Sequence, residues 1–144
     1  MFNLPDVQEQ ILQHLSDKAG AEVYEISIPD PDTLKRNAQG RIEPYVAVQL
    51  LMPQHARGES FAGVWSADYD LPINLQAIAP TAELSRALAN RLYEAVLGFG
   101  VEFGSGFRPR FGGSVMPVTS NDGTVQAYIH PMSFAVRVQL FKDS

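Results

Sequence analysis

The stretch Leu71-Pro72-Ile73-Asn74-Leu75-Gln76-Ala77 decides the fold. Its leucines, isoleucine and alanine alternate with proline, asparagine and glutamine. That period of two puts the apolar side chains on one face of a half-buried strand. Extended backbone is expected from Phe61 toward Ala79, with Pro72, which has no backbone donor, marking an edge or a bend. Directly after it, Thr81 suits an N-cap and Glu83 a first helical turn. Leu84, Leu88, Leu92 and Val96 then form one apolar stripe. A strand therefore leads into an amphipathic helix, which Gly98 and Gly100 end.

Working outward, Tyr45-Val-Ala-Val-Gln-Leu-Leu-Met52 reads as a buried strand closed by Pro53, and Glu22 to Ile28 as a shorter one. Before these, Pro5 fits the first helical position and Asp6 and Glu9 fit the positive end of a helix dipole. Val7, Ile11, Leu12 and Leu15 repeat at helical spacing until Gly20. On the far side, Ser114 to Val118 and Thr124 to Phe141 form a hairpin around Asn121-Asp122-Gly123. Phe134, Val136, Val138 and Leu140 should face inward there, with Arg137 and Gln139 outward. The order is α-β-β-β-α-β-β, an α+β fold. Two helices cover one face of a mainly antiparallel sheet of about five strands, in a single domain over residues 1–144.

Two connections exceed ordinary lengths. Residues 29–43 are polar and include Lys35, Arg36 and Arg41. At about fifteen residues they are far longer than a hairpin loop. Residues 98–113 hold six glycines together with Phe99, Phe103, Phe107 and Phe111. The spacing of four imitates a helix, but each glycine costs about 1 kcal/mol relative to alanine, so a loop with aromatic anchors is expected. These phenylalanines either fold back onto the core or form an apolar patch that needs a partner. With Arg108 and Arg110 they have the composition of a protein interface.

The 144 residues, 45% of them hydrophobic, suffice for one core. Zero cysteines exclude disulfides, thiolate chemistry and cysteine-ligated metal. Residues 1–15 lack the pattern of a signal peptide, and no apolar run reaches the roughly 20 residues of a membrane span, so a cytosolic protein or one assembled in the cytosol is expected. A formal charge of −5 argues against a dedicated nucleic-acid binder.

The candidates for chemistry each miss a requirement. His14, His55 and His130 have no second ligand at metal-binding spacing. Asp68 and Asp70 share one face of an extended segment, where an acid-base pair competes with a solvated or intersubunit face. Asp30 and Asp32 flank Pro31 as turn residues. The glycines beside Ser105 do not have nucleophile-elbow spacing, and glycines after a helix end do not cradle phosphate. Arg108 and Arg110 among aromatics are a weak nucleic-acid footprint. Lys35, Arg36 and Arg41 fit either a solvated loop or docking onto an acidic subunit. No catalytic, cofactor or metal residue is assigned, and the expectation is a protein that is not an enzyme.

One known family shares this order of elements. The helix from Val7 to Leu15, the polar loop with Lys35 to Arg41, Pro44-Tyr-Val-Ala-Val48, the extended segment from Trp65 to Ala77, the helix from Glu83 to Leu97 and a closing hairpin ending Phe134-Ala-Val-Arg-Val138 resemble the tail terminator (minor tail protein) family of long-tailed bacteriophages. The resemblance implies a virion protein, assembled in the host cytoplasm into a homohexameric ring. Such a ring caps the head-proximal end of the tail, binds the major tail tube protein and the head-tail connector protein, and lets DNA pass without specific binding. It implies subunit or partner contacts through Lys35, Arg36, Arg41, Phe103, Phe107, Arg108, Arg110 and Phe111. A head-completion protein of the head-tail connector, and a small acid-base enzyme, are the alternatives.

Overall fold

The computed structural model describes residues 3–25, 36–55, 68–100, 106–111, 113–119 and 122–139; the side chains of 55, 68, 111 and 139 are outside that description. Among the described residues, helix α1 (Leu4–Ala19) and helix α2 (Ala82–Val96) lie with seven strands: β1 (Glu22–Glu25), β2 (Tyr45–Leu50), β3 (Gln54–His55), β4 (Asp68–Ala79), β5 (Arg108–Phe111), β6 (Met116–Thr119) and β7 (Val125–Gln139). The α+β class read from the sequence holds, with two strands more than the expected five.

Both helices start where their sequence says. The Asn3 side chain accepts the Asp6 backbone N–H at 3.2 Å, and Thr81 Oγ1 accepts that of Leu84 at 3.1 Å, each satisfying a donor that the first turn leaves free. Gly20 ends α1 in the left-handed region at φ 68°, which a residue with a Cβ adopts only under strain. Arg91 of α2 lies over Gly20 and donates Nε–H to the Lys18 carbonyl at 3.2 Å, placing a cation at the negative end of the α1 dipole.

The buried stripe of α2 is Ser85, Leu88, Ala89, Leu92 and Val96. Leu84 was expected inside and is 44% exposed; Ser85 takes the place beneath it because its hydroxyl donates to the Ala77 carbonyl at 2.8 Å.

The sheet runs β1-β2-β4-β7-β5, with β3 beside β4 and β6 beside β7. Its centre is the long antiparallel pair β4 and β7, in register from Asp68 opposite Gln139 to Ala79 opposite Tyr128. One pairing departs from the antiparallel expectation: β1 and β2 are parallel, with Glu22 opposite Tyr45. The connection between them is therefore a crossover, which must be long.

Pro72 is not at an edge. Strand β4 has β2 and β3 on one side and β7 on the other. The register changes from Leu50 opposite Ile73 to Gln54 opposite Asp70, so three residues (51–53) face two (71–72), a bulge. The Pro72 carbonyl accepts from Leu51 N–H at 3.3 Å, and in a strand a residue's own N–H points to the same side as its carbonyl. The missing donor thus falls where the partner strand is interrupted.

Alternation divides the sheet. Leu71, Ile73, Leu75 and Ala77 of β4 join Val46 and Val48 of β2 and Met132, Phe134, Val136 and Val138 of β7 in the main core, with Val7, Ile11, Leu15 and Leu92 from the helices. Among the described residues both helices are on this face. On the other face a smaller cluster gathers Tyr45, Ala47, Ile78 and Ala127, with Tyr24, Ile42 and Ile129 against it.

Candidate protein interface

Along the face that carries no described helix, the side chains change character from one end to the other. Tyr45, Ile78 and Ile129 form an apolar row. Gln49, Asn74 and Ser133 form an amide and hydroxyl row four residues on, with Asn74 Nδ2 donating to Gln49 Oε1 at 3.1 Å. Beyond these, Pro72, Ala135 and Arg108 align, followed by Asp70 and Arg137.

This last end is a concavity of about 520 Å³ lined by Asp70, Gly106, Arg108, Arg110, Ala135 and Arg137. Pairing creates it. Strand β5 lies along β7 with Arg108 opposite Ala135, and the register shifts between Pro109 and Phe111, so Arg110 is the extra residue of a bulge. Arg137 Nε is 3.5 Å from Asp70 Oδ1, with side chains 46% and 29% exposed. A pair so open to water contributes at most about 1 kcal/mol. Among the described side chains the hollow thus holds three guanidinium groups and one carboxylate, which Arg137 engages, and Arg108 and Arg110 are exposed.

Of the basic residues expected in the first long connection, Lys35 lies outside the described residues. Arg36 and Arg41 are exposed on a small hairpin that bridges Arg36 to Ile42. Asn37 holds this hairpin, its Oδ1 accepting from Gln39 N–H and Arg41 N–H at 3.0 Å each, and Arg36 Nη1 donates to the Gly40 carbonyl at 3.0 Å. Arg36 and Arg41 share a hollow with Pro80 and Tyr128, at the end of the sheet where β4 finishes. Asp70 and Ala79 are nine strand positions apart, so the two arginine groups are separated by about 30 Å and form separate patches.

The aromatic expectation needs correction at Phe107, which is 1% exposed and belongs to the main core. Phe107 stacks on Phe99 at 6.3 Å between ring centroids, and Phe99 stacks on His14 of α1 at 3.7 Å. Backbone bonds hold the pair: Gly98 N–H donates to the Phe107 carbonyl and Phe107 N–H to the Phe99 carbonyl, at 2.9 Å each. The described parts of the second connection, residues 98–100 and 106–107, thus pair with each other ahead of β5, and at Phe107 the aromatic spacing serves the interior. Phe103 and the Phe111 side chain lie outside the described residues.

The outer stripe of α1 makes a second concavity, about 610 Å³, lined by Asp6, Glu9, Gln13, Asp17, His14 and Phe99 among others. Asp17 accepts from Gln13 Nε2 at 2.9 Å, and His14 Nε2–H donates to the Ala95 carbonyl at 2.6 Å. This shallow acidic surface lies on the helix layer and the arginines on the open sheet face; the two approach each other at the sheet edge, where Gly100 of one lining bridges Gly106 of the other.

His14, His55 and His130 sit on α1, β3 and β7, and among the described residues no group of three or more histidine, cysteine or acidic side chains is placed to hold a metal ion. Asp70 is engaged by Arg137; the Asp68 side chain, Asp30, Asp32 and Ser105 lie outside the described residues. The Tyr45 phenol is raised above 10.0, first by burial and then by Tyr24, whose ring meets it edge-on at 5.6 Å between centroids. Among the described residues no helix is long and apolar enough to cross a membrane.

The sequence reading did not include Arg137 or the acidic stripe among its candidate residues. Alternation had already turned Arg137 outward, and Asp6, Glu9, Gln13 and Asp17 recur at helical spacing, but only strand pairing shows what lies beside or opposite them.

Comparison with known proteins places the fold. No protein-family model matches the chain, and no curated protein does. Among solved structures, a protein known by its sequence identifier alone is similar over 99% of this chain and 100% of its own, at 14% identity and a TM-score of 0.59. A protein of the virion of a native gene transfer agent particle is similar over 87% of this chain and 84% of its own, at 17% identity and a TM-score of 0.52. The bacteriophage SPP1 gp17 protein covers 96% of this chain at 15% identity, but its TM-score of 0.42 is too low to carry weight. At these identities the likeness is one of fold.

Proposed function

We propose that this chain is a structural virion protein of a phage-like tail, a ring-forming terminator that caps the head-proximal end of the tail tube and joins it to the head connector. One observation carries this reading: a chain from a gene transfer agent virion has the same fold over most of both molecules. Two oppositely charged concavities on different layers of the molecule suit assembly. A ring needs two different patches on each subunit that meet when the rotation closes. DNA would pass through the ring without specific binding.

Native mass spectrometry of the purified protein, alone and with isolated tail tubes, tests it. The expected result is a closed oligomer of about six copies of the 15.8 kDa chain, or a monomer that assembles on tube ends. A monomer that binds neither itself nor tubes would sink the proposal. Binding to the head connector without the tube would move the assignment to head completion.

A further inference from the structure

We propose that the arginine concavity of one copy seats on the acidic outer face of α1 of the next copy, and that this contact closes the ring; the inference rests on the ring-forming reading above. Arg108, Arg110 and Arg137 bring three positive charges to a hollow with one carboxylate among the described side chains, in a chain whose net charge is −5. The surface of α1 offers the complement: Asp6, Glu9 and Asp17, with no lysine or arginine among the described residues that line it. The stacked His14 and Phe99 rings also line it.

The two patches lie on different layers of the molecule, one on the open sheet face and one on the helix layer. A two-fold contact centred on either patch alone would set arginine against arginine or carboxylate against carboxylate, which is repulsive. A head-to-tail contact pairs opposite charges at every junction and leaves none over when the ring closes. Nucleic acid is the other polyanion that three arginines would attract, but the molecule's net negative charge opposes it.

The test uses charge reversal at exposed positions, with circular dichroism confirming folding. Arg108→Glu with Arg110→Glu reverses one patch, and Glu9→Lys with Asp17→Lys reverses the other. Each variant alone should raise the dissociation constant for assembly by about tenfold or more, and mixing the two should restore assembly because each still carries one native patch. Rescue in the mixture is an outcome that a merely structural role would not produce. Wild-type assembly should weaken as salt rises. Variants that assemble like wild type, or folded variants whose mixture stays monomeric, overturn the inference and leave the ring reading standing. A wild-type chain that never assembles, even with tail tubes, overturns both. Loss of binding to a short DNA duplex in the arginine variant, with assembly intact, assigns the patch to nucleic acid and also overturns the inference.

Discussion

Phe107 and Arg108 are neighbours in sequence with opposite duties. Phe107→Ala should cost about 3–5 kcal/mol of stability, since the ring is 1% exposed and stacks within the core. Arg108→Ala should change stability by no more than about 0.5 kcal/mol, and urea unfolding of the two variants checks the contrast. Ser85 supplies a second residue-scale prediction. Ser85→Ala leaves the cavity nearly unchanged but removes the hydroxyl that donates to the Ala77 carbonyl, and should cost about 1–3 kcal/mol. Tyr45 gives the chain an alkaline sensitivity. Its phenol is raised above 10.0 by burial and by Tyr24, so the folded state holds that proton more tightly than the unfolded chain. This contribution is fully present below the unfolded value, about pH 10, and is lost as pH rises through the folded value. Tyr45→Phe should flatten the fall in urea midpoint above that pH. The inward turn of Phe107 was not legible in its spacing, because phenylalanines four apart among glycines fit a surface patch and a buried stack equally well.

At the scale of elements, the parts with a repeating pattern were legible. The alternation of Leu71 to Ala77 and the cap Thr81 stand in the structure as read, whereas the cap Asn3 was not read from the sequence. Thr81→Ala should accordingly cost about 1 kcal/mol, measurable by thermal unfolding. Direction and pairing were not legible. Period two is the same for a parallel and an antiparallel strand, so nothing in Glu22 to Glu25 announces that β1 runs alongside β2. Strand β3 has only two residues, too few to show a period, and β5 contains a proline and a bulge. Both are strands because of what they lie beside. Gly106 shows how closely that second connection is fitted: a Cβ there would come within 2.8 Å of the Gly98 carbonyl oxygen. Gly106→Ala should therefore push the ladder apart and loosen Phe107, seen as faster amide exchange at Gly98 and Phe107 than in wild type.

For the molecule as a whole, the parallel pairing of β1 and β2 changes what the polar connection can tolerate. It spans a crossover and carries the Arg36 to Ile42 hairpin, with Ile42 packed on the open face of the sheet. Deleting residues 35–40 removes Asn37, which holds that hairpin, and should lower stability as well as assembly. Arg36→Ala with Arg41→Ala leaves the backbone intact, and should weaken binding to a tail or connector partner without shifting the thermal midpoint.

The position of β7 has a consequence for synthesis. It pairs with β4 across separations of 49 residues, from Ala79 to Tyr128, up to 71, from Asp68 to Gln139, and it lies between β4 on one side and β5 with β6 on the other. Closing loops of that length before any contact rewards them makes folding slow. While the chain emerges from the ribosome, the apolar edge of β4 and the inner stripe of α2 wait for a strand not yet translated. The nascent protein must spend that interval with its future core exposed, so it should lean on chaperones during production far more than its small size suggests.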